Sequence, residues 1–440
     1  MRTLILLLFS AATLAGAGLR AGAGRADVTP DGPVWMSGYA ARTHPSDGAA
    51  TRLWAKALAI ESGPGHRIVI VGVDVVGIPG DIAPEVARRT GLKRAELLIN
   101  ASHTHTGPIV WGNLPNIAVV PPAEQEKLIA WRPKFVDGIV AAVTAALHDL
   151  APATLSYGEG SADFAINRRQ PTPQGIKGGV NPDGPVDHSV PVIKVLGPDG
   201  KLRAVLFAYA CHNTTLTAEI YQLSGDYAGF AAAELERRHP GATAVFLELC
   251  GADQNPNPRG TVELGKKHGE TLAAEVDRVL AAPGKPLAGP VRTTLRLIPL
   301  QFAPRTRADL EAELHDPLPA KTRRAAMMLK ALDAGRTIDT VQYPVEAIRF
   351  GRSLTLVALG GEVVVDYDLR IKREHPGEPI VVAGYSNDVM SYIPSRRVLR
   401  EGGYEANDSM IYYGQPGPYT DDVEERIVSA VNRALKEVGR

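Results

Sequence analysis

Short apolar runs alternate along the chain with stretches whose apolar residues recur every three or four positions, the two periods that separate strand from helix. Runs of strand length lie at residues 68–76, 96–102, 204–210, 243–249, 291–302, 353–359 and 380–383. Helix-period segments cover 81–90, 134–150, 229–238, 263–281 and 421–438, and in the second of these Phe135, Ile139, Val143 and Leu147 share one face. The alternation predicts an α/β chain: a single large domain with a mixed sheet flanked by helices. No internal repeat or linker divides it. Residues 171–185, rich in Pro and Gly, show neither period and read as a long loop. The charged helical stretch 308–333, broken by Pro317 and Pro319, reads as a solvated excursion covering one face.

The first residues depart from this pattern. Arg2 precedes an apolar run, Leu4 to Leu8, that passes through small residues to A-G-A at both 15–17 and 21–23. That grammar predicts a cleavable signal peptide over residues 1–23, a mature domain over 24–440, and a secreted or periplasmic address. The apolar run is too short for a membrane anchor, which needs roughly 20 residues.

Composition narrows the partners. The chain has 48 basic and 48 acidic residues, a net charge of zero, so nothing in its charge calls for nucleic acid. No protein partner is implied, and the substrate is to be sought in a pocket. The two cysteines, Cys211 and Cys250, are too few for a disulfide framework and read as small core thiols, the alternative being that they pair if their strands are neighbours.

Candidate chemistry gathers where predicted strands end, the usual ligand position of open α/β sheets. The 96–102 run leads into A-S-H-T-H-T-G-P. An extended backbone would send His103 and His105 to one face and Ser102, Thr104 and Thr106 to the other. Two such imidazoles suit a metal ion or a polarised substrate; the plain alternative is a polar loop. Other ends supply His212 in C-H-N-T-T, Asp253 and Asn255 in G-A-D-Q-N-P-N, Glu362 in G-G-E, and Tyr392 closing G-Y-S-N-D-V-M-S-Y. Imidazole, carboxylate and phenol are all donors that zinc accepts. Their spacing is too long for a local finger, so only a fold could assemble them.

Taken in order, G-Y-A, R-L-W-A-K-A-L, S-H-T-H-T-G-P, I-N-R-R, S-G-D-Y-A-G, G-A-D-Q-N-P-N, G-G-E, S-Y-I-P-S and G-Y-E resemble the catalytic domain of the neutral ceramidase family over nearly all of the mature chain. The resemblance implies one zinc ion held by His103, His212, Glu362 and Tyr392, and hydrolysis of an N-acyl amide by a water that the metal acidifies toward a pKa of roughly 7. It also implies a head-group site lined by His105, Arg168 and Tyr404. On this reading His105 moves the proton, while Tyr404 and Asn255 hold the oxyanion and Arg168 binds the head group. Asp253 joins them as a further catalytic candidate. Gly402 and Gly403 would let the backbone approach closely at Tyr404.

Two departures from the family pattern bear on function. Where the ceramidase motif reads G-D-V-S-P-N, this chain reads A-D-Q-N-P-N, so Asn255 stands in place of a serine proposed to be catalytic. After Tyr413 only the 421–438 helix remains, so the family's immunoglobulin-like domain is not expected. The substrate expected is therefore ceramide or another N-acyl lipid, met in transient contact with a membrane surface. The alternatives are a different amide or ester, or a non-catalytic secreted lipid- or glycan-binding member of the fold.

Overall fold

The computed structural model describes residues 18–439. Three sheets form its centre. The first runs, in order, Leu97–Ala101, Arg67–Val73, Trp54–Glu61, Arg20–Asp27 and Ala151–Pro152. The second runs Thr243–Glu248, Leu202–Tyr209, Ser189–Leu196, Thr154–Ser161 and Lys285–Pro286. The third runs Val291–Gln301, Thr340–Phe350, Leu354–Leu359 and Ile380–Ala383, and isolated bridges at Asn100–Ser386 and Leu249–Ala383 tie it to the other two. The class is α/β with mixed sheets flanked by helices. The strands divide among three sheets because their alternate residues serve two cores.

Period-2 alternation shows how this works. Ile68 and Ile70 face a core shared with Leu206, Val245 and Leu247 of the second sheet, while Val69, Val71 and Val73 face the helix Pro122–His148 through Phe135, Ile139 and Val143. On the far side, Val205 and Phe207 meet Tyr227, Leu235, Leu272 and Val276 from the helices Asp226–Arg238 and Val262–Ala281. Sheets buried on both faces need apolar residues at every position, which is why these strands read as unbroken runs.

Several expectations change. Residues 171–185 do not form a long loop: a hairpin of Ala165–Thr172 and Gly175–Asn181 occupies much of the stretch, turning at Gly175 with φ 94°. The helix expected from residue 134 begins at Pro122 and continues through Pro133. The excursion at 308–333 resolves into two helices, Arg307–Glu313 and Pro319–Asp333. Residues 1–17 of the expected leader lie outside the described residues, but Arg20–Asp27 is a strand, so an N-terminus at Gly24 would fall within it. Cys211 and Cys250 are buried and unpaired. Among the described residues no helix is long and apolar enough to cross a membrane.

The topology collects the candidate residues. Arg67–Val73 and Leu97–Ala101 are parallel, as are Leu202–Tyr209 with Thr243–Glu248 and Leu354–Leu359 with Ile380–Ala383. His103, His212, Asn255 and Glu362 all follow the C-terminal ends of these paired strands. Residues Glu362–Val363 and Tyr392–Ile393 form a two-residue parallel ladder that sets Glu362 directly beside Tyr392.

Candidate active site

The H-x-H pair lies beyond its strand, not on it. His103 adopts φ 61°, a left-handed conformation costly for a residue with a Cβ. Its backbone N–H donates to Val75 O at 3.0 Å, and its ring Nδ1 lies 2.6 Å from Val76 O. This turn brings His103 and His105 to the same side, with their Nε2 atoms 3.0 Å apart. Thr104 and Thr106 go the other way, both donating to Ser224 O. The shared face foreseen for an extended strand is thus reached through a strained turn.

His212 Nε2 joins the pair, and one ring nitrogen from each of the three buried histidines falls within 4.8 Å of the others. His212 Nδ1 lies 2.8 Å from Gly251 O. Glu362 Oε2 is 3.1 Å from His103 Nε2 and 3.2 Å from His212 Nε2, and the Tyr392 hydroxyl is 3.1 Å from His212 Nε2. Tyr413 donates to the other oxygen of Glu362.

These contacts test whether a cation fits. With their Nδ1–H groups committed to backbone carbonyls, His103 and His212 present lone pairs at Nε2, and both lone pairs meet a carboxylate oxygen that has no hydrogen-bond donor. Three acceptor atoms facing one another repel unless a proton or a metal cation lies between them. Two ligands about 2.1 Å from a tetrahedral zinc would sit about 3.4 Å apart, near the 3.1 and 3.2 Å separations found here. Burial, reinforced by neighbouring Arg168 and His103, lowers the His212 pKa to about 3. Burial, with His103 and His212 beside it, also pushes the His105 pKa well below the usual imidazole value, so both rings stay neutral. Burial works against the charge of Glu362, but His103 and His212 outweigh it and hold the carboxyl well below its usual range. His105 and His212 neutral beside an ionised Glu362 are protonation states that suit a divalent ion.

His105 differs from the other two histidines. Its Nδ1 has no hydrogen-bond partner, its ring lies against Gly38 and Tyr39, and it is the most exposed of the three at 9%. Histidines that hold metals almost always anchor their second nitrogen, as His103 and His212 do.

Arg168 was expected to grip a head group. Within the protein its guanidinium bonds Glu405 through Nε at 2.7 Å, the Tyr392 hydroxyl through one terminal nitrogen at 2.9 Å, and Asn255 Oδ1 through the other at 3.3 Å. Burial disfavours its charge, but Tyr392 and Glu405 prevail and hold its pKa well above the ordinary value. Asn255 Oδ1 also accepts from Thr214 at 3.4 Å, which leaves the Asn255 amide N–H donors uncommitted. Tyr404 is 40% exposed, 5.7 Å from the Arg168 guanidinium and edge-on to Tyr392 at 5.3 Å, and so marks the mouth of the site. Gly402 and Gly403 precede it with φ of 74° and 85°.

Asp253 braces the elements around the site. Its carboxylate accepts from Val365 N at 2.9 Å and Asn167 Nδ2 at 3.2 Å, and its backbone O accepts from Arg168 N. Burial raises its pKa to about 7. Sequence reasoning missed Tyr413, which steadies Glu362, and Glu405, which holds both Arg168 and Arg169. Glu405 had a signal, since it ends the quoted G-Y-E. Tyr413 had none.

The chain is similar to known proteins in both sequence and fold. The sequence model of the neutral/alkaline non-lysosomal ceramidase N-terminal domain matches residues 19–269. Over 256 residues the chain is 29% identical to a neutral ceramidase of Pseudomonas aeruginosa, covering 54% of this chain and 37% of that protein. It is 28% identical over 273 residues to a neutral ceramidase of Mycobacterium tuberculosis, covering 55% and 41%. The matched region thus spans well under half of these curated relatives. A crystal structure of the Pseudomonas aeruginosa neutral ceramidase superposes with a TM-score of 0.73 at 20% identity, over 95% of this chain and 74% of that one. A structure described as a ceramidase complexed with C2 gives a TM-score of 0.72, also at 20% identity, over 96% and 76%. With its family motif region matched over more than half its length, this chain belongs to the neutral/alkaline non-lysosomal ceramidase family.

Proposed function

We propose that the chain is a zinc-dependent amidohydrolase that cleaves the N-acyl amide of ceramide or a related N-acyl lipid into fatty acid and amine, and that it acts outside the cytoplasm. The observation that carries this reading is the convergence of His103 Nε2 and His212 Nε2 on Glu362 Oε2, at 3.1 and 3.2 Å, with the Nδ1 of each ring set against a backbone carbonyl. His103, His212, Glu362 and Tyr392 hold the ion. When bound, it polarises the scissile carbonyl and acidifies a water molecule.

The remaining work falls to the chain's own residues. His105, neutral and unanchored at Nδ1, takes the proton of the attacking water and returns it to the amine nitrogen as the C–N bond breaks. The Asn255 amide and the Tyr404 hydroxyl donate to the developing oxyanion. An amide cannot be acylated as a hydroxyl can, so Asn255 favours direct attack by water over a covalent intermediate. Arg168 positions the Tyr392 hydroxyl and the Asn255 amide, and its head-group role passes to the exposed Tyr404. The family's ceramidase names support the substrate class.

The test is to incubate purified, zinc-loaded protein with a panel of N-acyl amides, ceramide included, and to follow released fatty acid by mass spectrometry. Release that disappears in His103→Ala supports the proposal. Binding of the lipids without release, at full zinc content, would identify a non-catalytic member of the fold.

A further inference from the structure

Two A-G-A tripeptides, at residues 15–17 and 21–23, both offer the small-residue pattern at which export leaders are cut. We propose that cleavage falls between Ala17 and Gly18, so that Gly18 is the first residue of the mature protein. The step is hydrolysis of that peptide bond by a leader peptidase of the exporting cell, water leaving a carboxylate on Ala17 and an amine on Gly18.

The second tripeptide is built into the fold. Arg20–Asp27 pairs residue by residue with Trp54–Glu61, so a cut after Ala23 would remove the partners of Glu61, Ile60, Ala59 and Leu58. It would also remove both pairings to Ala151–Pro152. Leu19 and Ala21 are buried in the core between the sheets. Leu19 O accepts from Ala153 N at 2.9 Å, Ala23 N donates to Asp149 Oδ2 at 2.9 Å, and Arg20 reaches Glu61 and Leu150 O.

Smallness at 21–24 therefore has a second explanation. A Cβ on Gly22 would collide with Ala146 O, and one on Gly24 with Ala142 O, because the strand lies directly against the helix Pro122–His148. The residues that imitate a cleavage site are small so that strand and helix can touch. Gly18 is the opposite case: it is exposed, and a Cβ built there meets nothing within 4 Å. A cut before it leaves every pairing of the strand Arg20–Asp27 in place.

The experiment is to express the full 440-residue sequence in an exporting bacterial host and determine the N-terminus of the exported protein by intact mass and terminal peptide sequencing. Gly18 is expected; Gly24, or retention of Met1, overturns the proposal. In a second arm, leaderless chains starting at Gly18 and at Gly24 are compared by thermal unfolding. The shorter chain should melt lower by roughly 5 °C or more, or fail to fold while the longer one folds. Equal melting would mean that residues 18–23 are dispensable and would remove the structural ground for the assignment.

Discussion

At Asn255 a carboxamide occupies the place of a serine, and its Oδ1 is held by Arg168 and Thr214, which leaves its donors free for an oxyanion. Asn255→Ala should slow turnover by about 10²- to 10³-fold, the usual cost of losing one such donor. Asn255→Ser, which restores a hydroxyl donor, should keep or improve the rate. Steady-state kinetics on the two variants at full zinc content check this; loss of activity in Asn255→Ser would show a pocket diverged from the family's chemistry. At this scale much was legible. The H-x-H pair and the single His, Glu and Tyr at later strand ends announce themselves by residue type and position. What separates His103 from His105 came only from the family resemblance, because the structural distinction lies in whether Nδ1 finds a carbonyl, and Val76 O comes from another part of the chain. The partner of Arg168 was equally out of reach, because Glu405 lies 237 residues away in the chain.

Strands buried on both faces were the most legible elements, and one of them carries a titratable group. On Thr340–Phe350, Glu346 is fully buried, accepts from Asn387 Nδ2 at 2.7 Å, and has its pKa raised to about 8, chiefly by burial. The folded state therefore holds the proton more tightly than the unfolded state does. This group favours folding most below about pH 4.5, and that contribution is lost as pH rises toward about 8. Glu346→Gln keeps an acceptor for Asn387 but cannot ionise, so it should stabilise the protein by a few kcal/mol at pH 8 and little at pH 5. Chemical denaturation at the two pH values reads this directly, and an equal effect at both would refute it. Elements with mixed patterns were less legible. The Ala165–Thr172 and Gly175–Asn181 hairpin carries Gly, Pro and polar residues in place of clean alternation. The helix before Pro133 was hidden because proline usually ends a helix; here Leu128 and Trp131, buried against the core, hold the preceding turns. Arg20–Asp27 was concealed by small residues that also match a cleavage signal.

Across the whole molecule, the site exists only because three sheets place their strand ends together, so the ion and the fold should stabilise each other. A ligand that binds only the folded state stabilises it by about 4 kcal/mol at a thousandfold excess over its Kd. Zinc should therefore raise the melting temperature of the wild-type protein, chelation should lower it, and neither should shift His103→Ala; calorimetry with and without chelator checks this. The central claim is that His103 holds the metal while His105 moves the proton, and it is tested most directly by measuring zinc content and initial rate together on the same preparations. The wild type should carry about one zinc per chain. His103→Ala should lose zinc and activity together. His105→Ala should keep the zinc yet turn over about 10² to 10⁴ times more slowly. If instead His105→Ala loses the metal and His103→Ala retains it, the assignment of the site is contradicted.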